Sequence, residues 1–316
     1  MRVFHSAEEI PPDFGPSVVT IGNFDGLHAG HREIMRRVTA IGRERGLTPT
    51  VFTFDPHPAR VLAPDRAPKL IMTVPQRLRR LEAEGIEATL VFPFSLEFAK
   101  LTPEEFVERI LAGALKARCV LVGEDFRFGY KQSGNIDTLR ELGAKFGFEL
   151  QAVAAIAGGG DRVSSTRIRK AISEGMVSRA CRMMSAAFAL AGPVVRGLGI
   201  GSKQTVPTIN LAWENELVPA VGVYVTRVRD EATGTEWRSI TNVGYRPTFN
   251  GEGLSVESFL LDSPPDRIPE RIEVLFLARV RGERRFDSPE KLRAQILRDV
   301  SAARRFHSRA ERLRVG

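Results

Sequence analysis

The sequence has 316 residues, which is more than one hydrophobic core usually spans, so we expect two domains. A hydrophobic share of 43% fits globular folding, and the lack of a signal peptide or a bilayer-length apolar run predicts a cytoplasmic protein with no membrane partner. Most of the net charge of +8 lies after Arg279, which indicates a solvated basic helix face rather than nucleic-acid binding, and two cysteines are too few for a disulfide framework.

The first half of the chain alternates β-branched runs with helical patterns, as in parallel strands joined by crossover helices. We predict an open α/β sheet of Rossmann-like type, covered by helices on both faces. The predicted strands are 17–22, 48–54, 88–92, 119–123 and 149–156, and the predicted helices are 31–45, 75–84, 102–115 and 136–146.

A short helical region, 165–184, precedes a change to alternating strands and turns. We place the domain boundary there, which gives an α/β domain over 1–185 and a β domain over 186–316. The alternation at 221–225 and 272–278 and the turn at Thr233-Gly234 predict a small antiparallel barrel. A terminal helix is predicted to begin at Ser288-Pro289.

The segment TIGNFDGLHAGH, residues 20–31, joins the first strand to the first helix. In a parallel sheet this junction is where ligands bind, and a helix start offers free amides to phosphate. Gly22, Gly26 and Gly30 would allow a close approach of the backbone, and His28 and His31 would supply donors to a reacting phosphate. A zinc pair is the alternative, but a chain with five histidines and no Cys or His cluster makes it weaker.

The segment resembles the HxGH motif of nucleotidylyltransferases. In its longer form, GNFDGLHAGH, it resembles the bacterial bifunctional riboflavin kinase/FMN adenylyltransferases, also called FAD synthetases. The resemblance implies that His28 and His31 are catalytic in adenylyl transfer and that neighbouring residues bind ATP phosphates. These neighbours are Gly22, Asn23, Phe24, Asp25, Gly26 and Gly30.

Three further segments of the first half resemble that family. Residues 54–58 and 123–129 follow predicted strands, and residues 164–169 open a helix. Taken singly they are typical of a turn, of core aromatics and of an N-cap. The flavin residues implied by the resemblance are Phe54, Pro56, His57, Pro58, Asp125, Phe126, Arg127 and Phe128, and the further phosphate-binding residues are Ser165, Thr166 and Arg169.

The barrel half resembles riboflavin kinase in a glycine-rich loop, the run PTIN at 207–210, the run NVGYRPT at 242–248 and Val256-Glu257. A kinase for an alcohol needs a loop over the phosphates, oxygen ligands for magnesium and a base near the hydroxyl. The resemblance implies that Thr208 and Asn210 touch the metal and that Glu257 accepts the proton. It also assigns ATP contacts to Gly199, Gly201 and Lys203, and a flavin contact to Arg246.

The kinase half also departs from the family pattern. Ser202 replaces an arginine, Thr205 replaces a glycine, and residues 266–270 replace a Tyr-Gly element. Lys203 restores a charge but lacks the planar fork of arginine, so we expect tuned or weakened kinase activity.

The resemblance implies an enzyme that converts riboflavin to FMN and FMN to FAD. ATP is the co-substrate, Mg²⁺ the cofactor, and FMN and FAD the products. The alternatives are an FMN adenylyltransferase with an impaired kinase barrel, and a basic nucleic-acid-binding protein, against which the phosphate motifs argue. An oligomer is left open.

Overall fold

The computed structural model describes residues 1–154, 163–195, 208–248, 251–262 and 267–312. The chain forms two compact units. One comprises Met1–Lys69 and Val74–Ser164, and the other comprises Leu70–Thr73 and Ser165–Gly316. The short segment Leu70–Thr73 therefore folds with the second unit although both its flanks belong to the first. The domain boundary at residue 185 remains a prediction.

The first unit contains a parallel sheet of six strands in the order β1-β4-β3-β2-β5-β6. The strands are β1 (Arg2–Phe4), β2 (Ser17–Ile21), β3 (Thr48–Phe54), β4 (Ala88–Phe92), β5 (Ala117–Gly123) and β6 (Glu149–Val153). The predicted α/β sheet is confirmed. The edge strand β1 was not predicted, because three residues are too few to show an alternation.

The longer helices of this unit lie close to their predicted ranges. They are α1 (Ala29–Arg45), α2 (Pro58–Leu62), α3 (Val74–Ala83), α4 (Pro103–Phe106), which continues as a π-helix over Val107–Ala114, and α5 (Ile136–Phe146). Gly46 ends α1 in the left-handed conformation at φ 64°. Thr102 and Glu105 form the capping box that starts α4.

The core of the first unit lies between the sheet and its helices. Val19, Phe52 and Leu90 of the central strands are buried together with Leu111 of the π-helix. Central strands that are covered on both faces are buried over most of their length, so their sequences are rich in Val, Leu, Phe and Thr and do not alternate strictly between apolar and polar residues. Cys119 is also fully buried and fills space in this core.

The second unit is a closed antiparallel barrel in the order β10-β11-β8-β7-β12-β9, preceded by two helices and followed by one. Its elements are α6 (Ser165–Ser173), α7 (Val177–Met184), β7 (Phe188–Val195), β8 (Thr208–Leu211), β9 (Gly222–Asp230), β10 (Glu236–Thr248), β11 (Gly251–Leu260), β12 (Arg271–Gly282) and α8 (Pro289–Arg312). The predicted barrel and terminal helix are confirmed, and the helical region 165–184 is two helices.

The terminal helix α8 covers one side of the barrel. Ala303 is fully buried against Val223, Ile240 and Leu261. Asp299, which is 4% exposed, accepts a hydrogen bond from Arg281 Nε of β12 at 2.9 Å. Among the described helices, α8 included, none combines the length and the apolar character that a membrane crossing requires.

Candidate active sites

The β2–α1 loop, residues 22–28, lies at the carboxyl end of the central strand β2. The chain passes from β2 to β3 on one side and later from β4 to β5 on the other, so β2 and β5 flank the point where the strand order reverses. Ligands of open α/β sheets bind at such a point. The loop needs left-handed backbone at Phe24 (φ 48°), Gly26 (φ 82°) and Leu27 (φ 35°). For the two non-glycine residues this costs about 1–3 kcal/mol each.

The two imidazoles of the motif are stacked on each other. The ring centroids of His28 and His31 are 3.7 Å apart with an interplanar angle of 17°. His28 is the N-cap of α1, and its Nδ1 accepts a hydrogen bond from the backbone N–H of His31 at 3.4 Å. An accepting Nδ1 leaves the proton of the neutral ring on Nε2. His28 can therefore offer an Nε2–H donor to a ligand.

His31 is held as a neutral ring. Burial lowers the pKa of His31 well below its usual value, and the neighbouring His28 lowers it further. Its Nδ1 is buried without a hydrogen-bond partner in the described part of the chain. A polar atom buried in this way costs free energy unless a ligand or a water reaches it.

Two glycines of the motif lie close to aromatic rings. A Cβ at Gly22 would come within 3.1 Å of the Phe24 ring, and one at Gly30 within 3.3 Å of the His28 ring. Phe24 is buried and contacts His31 edge to face, with ring centroids 5.2 Å apart. Phe24 was predicted among the ATP-binding residues. Its ring supports His31 from inside the protein.

The β3–α2 loop, residues 55–57, follows the strand that pairs with β2. Phe54 is half-buried and contacts Phe94 and Phe98 with ring centroids 5.4 Å and 6.1 Å away. His57 caps α2, because its Nδ1 accepts from the N–H of Ala59 at 3.1 Å. Pro58 is the first residue of that helix. Pro56 lies in the loop, exposed as Asp55 is.

The sequence analysis did not single out Phe94 and Phe98. Both belong to a cluster of phenylalanines with Phe52, Phe54 and Phe92. The density of phenylalanine after β4 was the available signal, but buried aromatics are common, so a sequence alone does not distinguish a core from a pocket wall.

The segment after β5 lies beside β2 and presents polar side chains. Asp125 and Arg127 are exposed, whereas Phe126 is half-buried and stacks on Phe128 with centroids 5.5 Å apart. Phe128 is buried and pairs its backbone with Gly134. The structure therefore brings Asp125, Phe126 and Arg127 to the sheet edge that bears the β2–α1 loop, and it places Phe128 in the core.

The predicted phosphate residues Ser165, Thr166 and Arg169 lie in the first two turns of α6. Thr166 is exposed, and the other two are half-exposed. Since α6 belongs to the second compact unit, their approach to the β2–α1 loop stays a prediction.

A second polar site lies across three strands of the barrel. Glu257 of β11 is directly opposite Asn210 of β8 on one side and Asn242 of β10 on the other. Residues directly opposite in antiparallel strands point to the same face, so these three side chains form one row. Ser255 Oγ lies 3.3 Å from Glu257 Oε1 and 3.2 Å from Gly244 O.

The structure describes only some of the remaining predicted kinase residues. Thr208 is exposed and opposite Phe259. Arg246 pairs its backbone with Gly253. Gly199, Gly201, Ser202, Lys203, Thr205 and Asp266 lie outside the described residues. Asn242 and Ser255 were not predicted as site residues. The strand register places Asn242 opposite Glu257, and Ser255 lies two residues before Glu257 on the same strand.

Neither site gathers a protein-only metal centre in the described ranges. No group of three or more His, Cys, Asp or Glu side chains is placed there to hold an ion. The zinc alternative for His28 and His31 therefore has no further ligands among those residues.

Two family models match the chain. Residues 10–167 match FAD synthetase, and residues 184–307 match riboflavin kinase. The first match contains the β2–α1 loop with its two imidazoles. The second contains the barrel with the row around Glu257.

Relatives match over nearly the full length. The bifunctional riboflavin kinase/FMN adenylyltransferase of Escherichia coli (strain K12) is 34% identical over 306 residues, which cover 97% of each chain. That of Pseudomonas fluorescens is 34% identical over 305 residues, 96% of this chain and 97% of the relative. A crystal structure of a macrolide-efflux protein from Streptococcus pneumoniae superposes with a TM-score of 0.84 at 31% identity, over 96% of this chain and 98% of that one.

Proposed function

The chain belongs to the family of bifunctional riboflavin kinase/FMN adenylyltransferases, and from this premise we propose that it makes FAD from riboflavin in two ATP-dependent steps. The barrel transfers the γ-phosphoryl group of ATP to riboflavin and forms FMN. The α/β unit then transfers AMP from a second ATP to FMN and releases pyrophosphate. The match of both family models supports two activities over adenylyl transfer alone.

The main observation that supports this proposal is the stacked pair of imidazoles at the end of β2. In adenylyl transfer a phosphate oxygen of FMN attacks the α-phosphorus of ATP, and the bond to the pyrophosphate oxygen breaks. Negative charge grows on the oxygens around phosphorus and on the leaving group. His28 Nε2–H and the neutral ring of His31 are preorganised donors for that charge, and such donors contribute about 3–4 kcal/mol each to a barrier.

The row around Glu257 supports the kinase step. Glu257 accepts the proton of the ribityl hydroxyl as its oxygen attacks the γ-phosphorus and ADP leaves. Asn210 lies directly opposite Glu257, and Thr208 is two residues away on the same strand. An amide oxygen and a hydroxyl at these places are suited to the phosphate end of ATP.

The oxygen atoms of Thr208 and Asn210 are also suitable ligands for Mg²⁺. Magnesium takes oxygen ligands, keeps several waters and is usually bound through one or two protein oxygens together with substrate phosphates. Thr208 and Asn210 supply a hydroxyl and an amide oxygen on a strand next to Glu257. When bound, Mg²⁺ would neutralise part of the phosphate charge.

Riboflavin, FMN and ATP are then the partners of this chain. Several basic residues of α8 make contacts within the unit: Arg304 donates to Leu261 O at 3.3 Å, and Arg305 donates to Ser301 at 2.7 Å. These contacts support a structural use of the basic segment over nucleic-acid binding. A cytoplasmic location stays a prediction.

The proposal is tested by separating flavins chromatographically after incubation of purified protein with ATP and Mg²⁺. Riboflavin as substrate should give FMN and FAD, and FMN as substrate should give FAD. Product from FMN but not from riboflavin would leave only the adenylyl transfer. Product from neither substrate would overturn the proposal.

A further inference from the structure

A buried arginine of α3 connects the two loops of the first site. Arg77 is 4% exposed. Its Nη1 donates to the carbonyl of Asn23 at 2.9 Å, and its Nη2 donates to the carbonyl of Phe54 at 3.0 Å. Asn23 lies in the β2–α1 loop, and Phe54 is the last residue of β3. One guanidinium therefore bridges the carboxyl ends of two paired strands.

The charge of Arg77 is balanced from both loops. Burial lowers the pKa of the Arg77 guanidinium, while the carboxylates of Asp25 and Asp55 oppose that shift and favour the cation. Asp25 is itself buried in the β2–α1 loop, and Asp55 opens the β3–α2 loop. Arg77 Nε is buried without a hydrogen-bond partner among the described residues. A charged group buried at such a cost is found more often at functional sites than elsewhere.

The hydrogen bond from Arg77 to Asn23 affects the imidazoles through Phe24. By holding the Asn23 carbonyl, Arg77 orients the peptide that links Asn23 to Phe24. Phe24 follows in the left-handed conformation, and its ring packs against His31. His31 in turn stacks on His28. A shift of the Asn23 carbonyl would thus be transmitted to both rings.

We infer that Arg77 is a positioning residue for adenylyl transfer, which holds the β2–α1 loop and the β3–α2 loop at one separation. This rests on the proposed function, because the β2–α1 loop carries the imidazoles and the β3–α2 loop borders the flavin side. The role needs the planar fork of arginine, since a carbonyl of the β2–α1 loop and the last carbonyl of β3 accept from two nitrogens of one guanidinium. A lysine keeps the charge but cannot reproduce this geometry.

The test compares wild type with Arg77→Lys in the full-length protein. For FAD formation from FMN and ATP, we expect kcat to fall about 10- to 100-fold, because small misplacements of reacting groups have effects of that size. The KM for FMN should change less than about 3-fold, since the residue does not touch the substrate. FMN formation from riboflavin should be preserved. Arg43→Lys, at an exposed arginine of α1, is the matched control and should leave FAD formation unchanged.

Hydrogen exchange with mass spectrometry gives a readout that does not depend on turnover. Exchange that is faster in Arg77→Lys than in wild type, and only in peptides that cover the two loops, would support the inference. Exchange unchanged there, or raised across the whole sheet together with a rise in KM, would overturn it, as would a kcat equal to wild type. A wild-type protein that forms no FAD would instead overturn the proposed function, and the inference would fall with it.

Discussion

At the residue scale, the two candidate active sites present different groups, with the imidazoles in one compact unit and Glu257 in the other. His28 and His31 are stacked imidazoles beside the end of β2, whereas Glu257 lies in a row with two asparagines on the barrel. Under the proposed function, a substitution at one of the imidazoles or at Glu257 removes a group that the other reaction does not use. The two activities should therefore be separable by single substitutions.

His28→Ala and His31→Ala should each lower FAD formation from FMN by roughly 100- to 1000-fold, the usual effect of removing a donor to developing charge. Each should leave FMN formation from riboflavin largely intact. Glu257→Ala should do the reverse. Flavin chromatography on each variant with each substrate checks this, and loss of both activities in a folded variant would contradict the assignment.

His31 also makes stability depend on pH. Its pKa is lower in the folded protein than the ordinary value of 6.5, so the unfolded chain binds the proton more readily. The contribution of the neutral ring is complete above that value and is lost as the pH falls below it. Urea unfolding at pH ~7 and ~5 should show a larger loss of stability in wild type than in His31→Gln. Equal losses would indicate that His31 is not buried as a neutral ring.

At the scale of elements, α8 is attached to the barrel by a buried ion pair. Asp299 accepts hydrogen bonds from Arg281 at 2.9 Å and from Gln295 at 2.7 Å. The side chains of Arg281 and Asp299 are 15% and 6% exposed. Removal of one partner from such a pair leaves an uncompensated charge in a dry environment.

Asp299→Ala should therefore lower the free energy of unfolding of the barrel unit by about 3–5 kcal/mol. Asp287→Ala is the matched control, because Asp287 pairs with Lys291 in water, where such pairs contribute about 0–1 kcal/mol. Urea unfolding of both variants, followed by the loss of kinase activity, measures the difference. Similar effects of the two substitutions would show that the Arg281–Asp299 pair does not hold α8.

At the scale of the whole molecule, a short segment of the first half is folded with the barrel unit. Ile71 of this segment is fully buried, and its carbonyl accepts from Asn215 Nδ2 at 3.4 Å. Asn215 Oδ1 also accepts from the N–H of Ala191 at 2.8 Å. Leu70 N–H donates to Glu216 at 2.9 Å. The barrel unit therefore includes a segment that lies, along the chain, within the first unit.

Asn215→Ala should destabilise the barrel unit by about 1–3 kcal/mol, because it leaves the buried N–H of Ala191 without an acceptor. It should also speed hydrogen exchange in the peptide that contains residues 70–73. Glu216→Gln, which keeps an acceptor for Leu70, is the control. Unchanged exchange in Asn215→Ala would show that the segment is held by other contacts.

The sequence alone was sufficient for the motifs and for most of the longer elements of the first unit, but not for short elements such as β1. Strands such as β3, the end of α1 at Gly46 and the start of α4 at Thr102 follow from apolar periodicity and capping, which depend on residues a few positions apart. The two histidines were identified because a glycine-bracketed turn between a strand and a helix is a local pattern.

Only the tertiary structure decided which distant side chains meet. It placed Asn210 and Asn242 opposite Glu257, buried Arg77 against two loops and put residues 70–73 into the barrel unit. These outcomes depend on strand register and on burial of groups far apart along the chain, and a local pattern contains no information about either. The sequence therefore determined which residues could react, and the pairing of distant strands and helices determined how they are held.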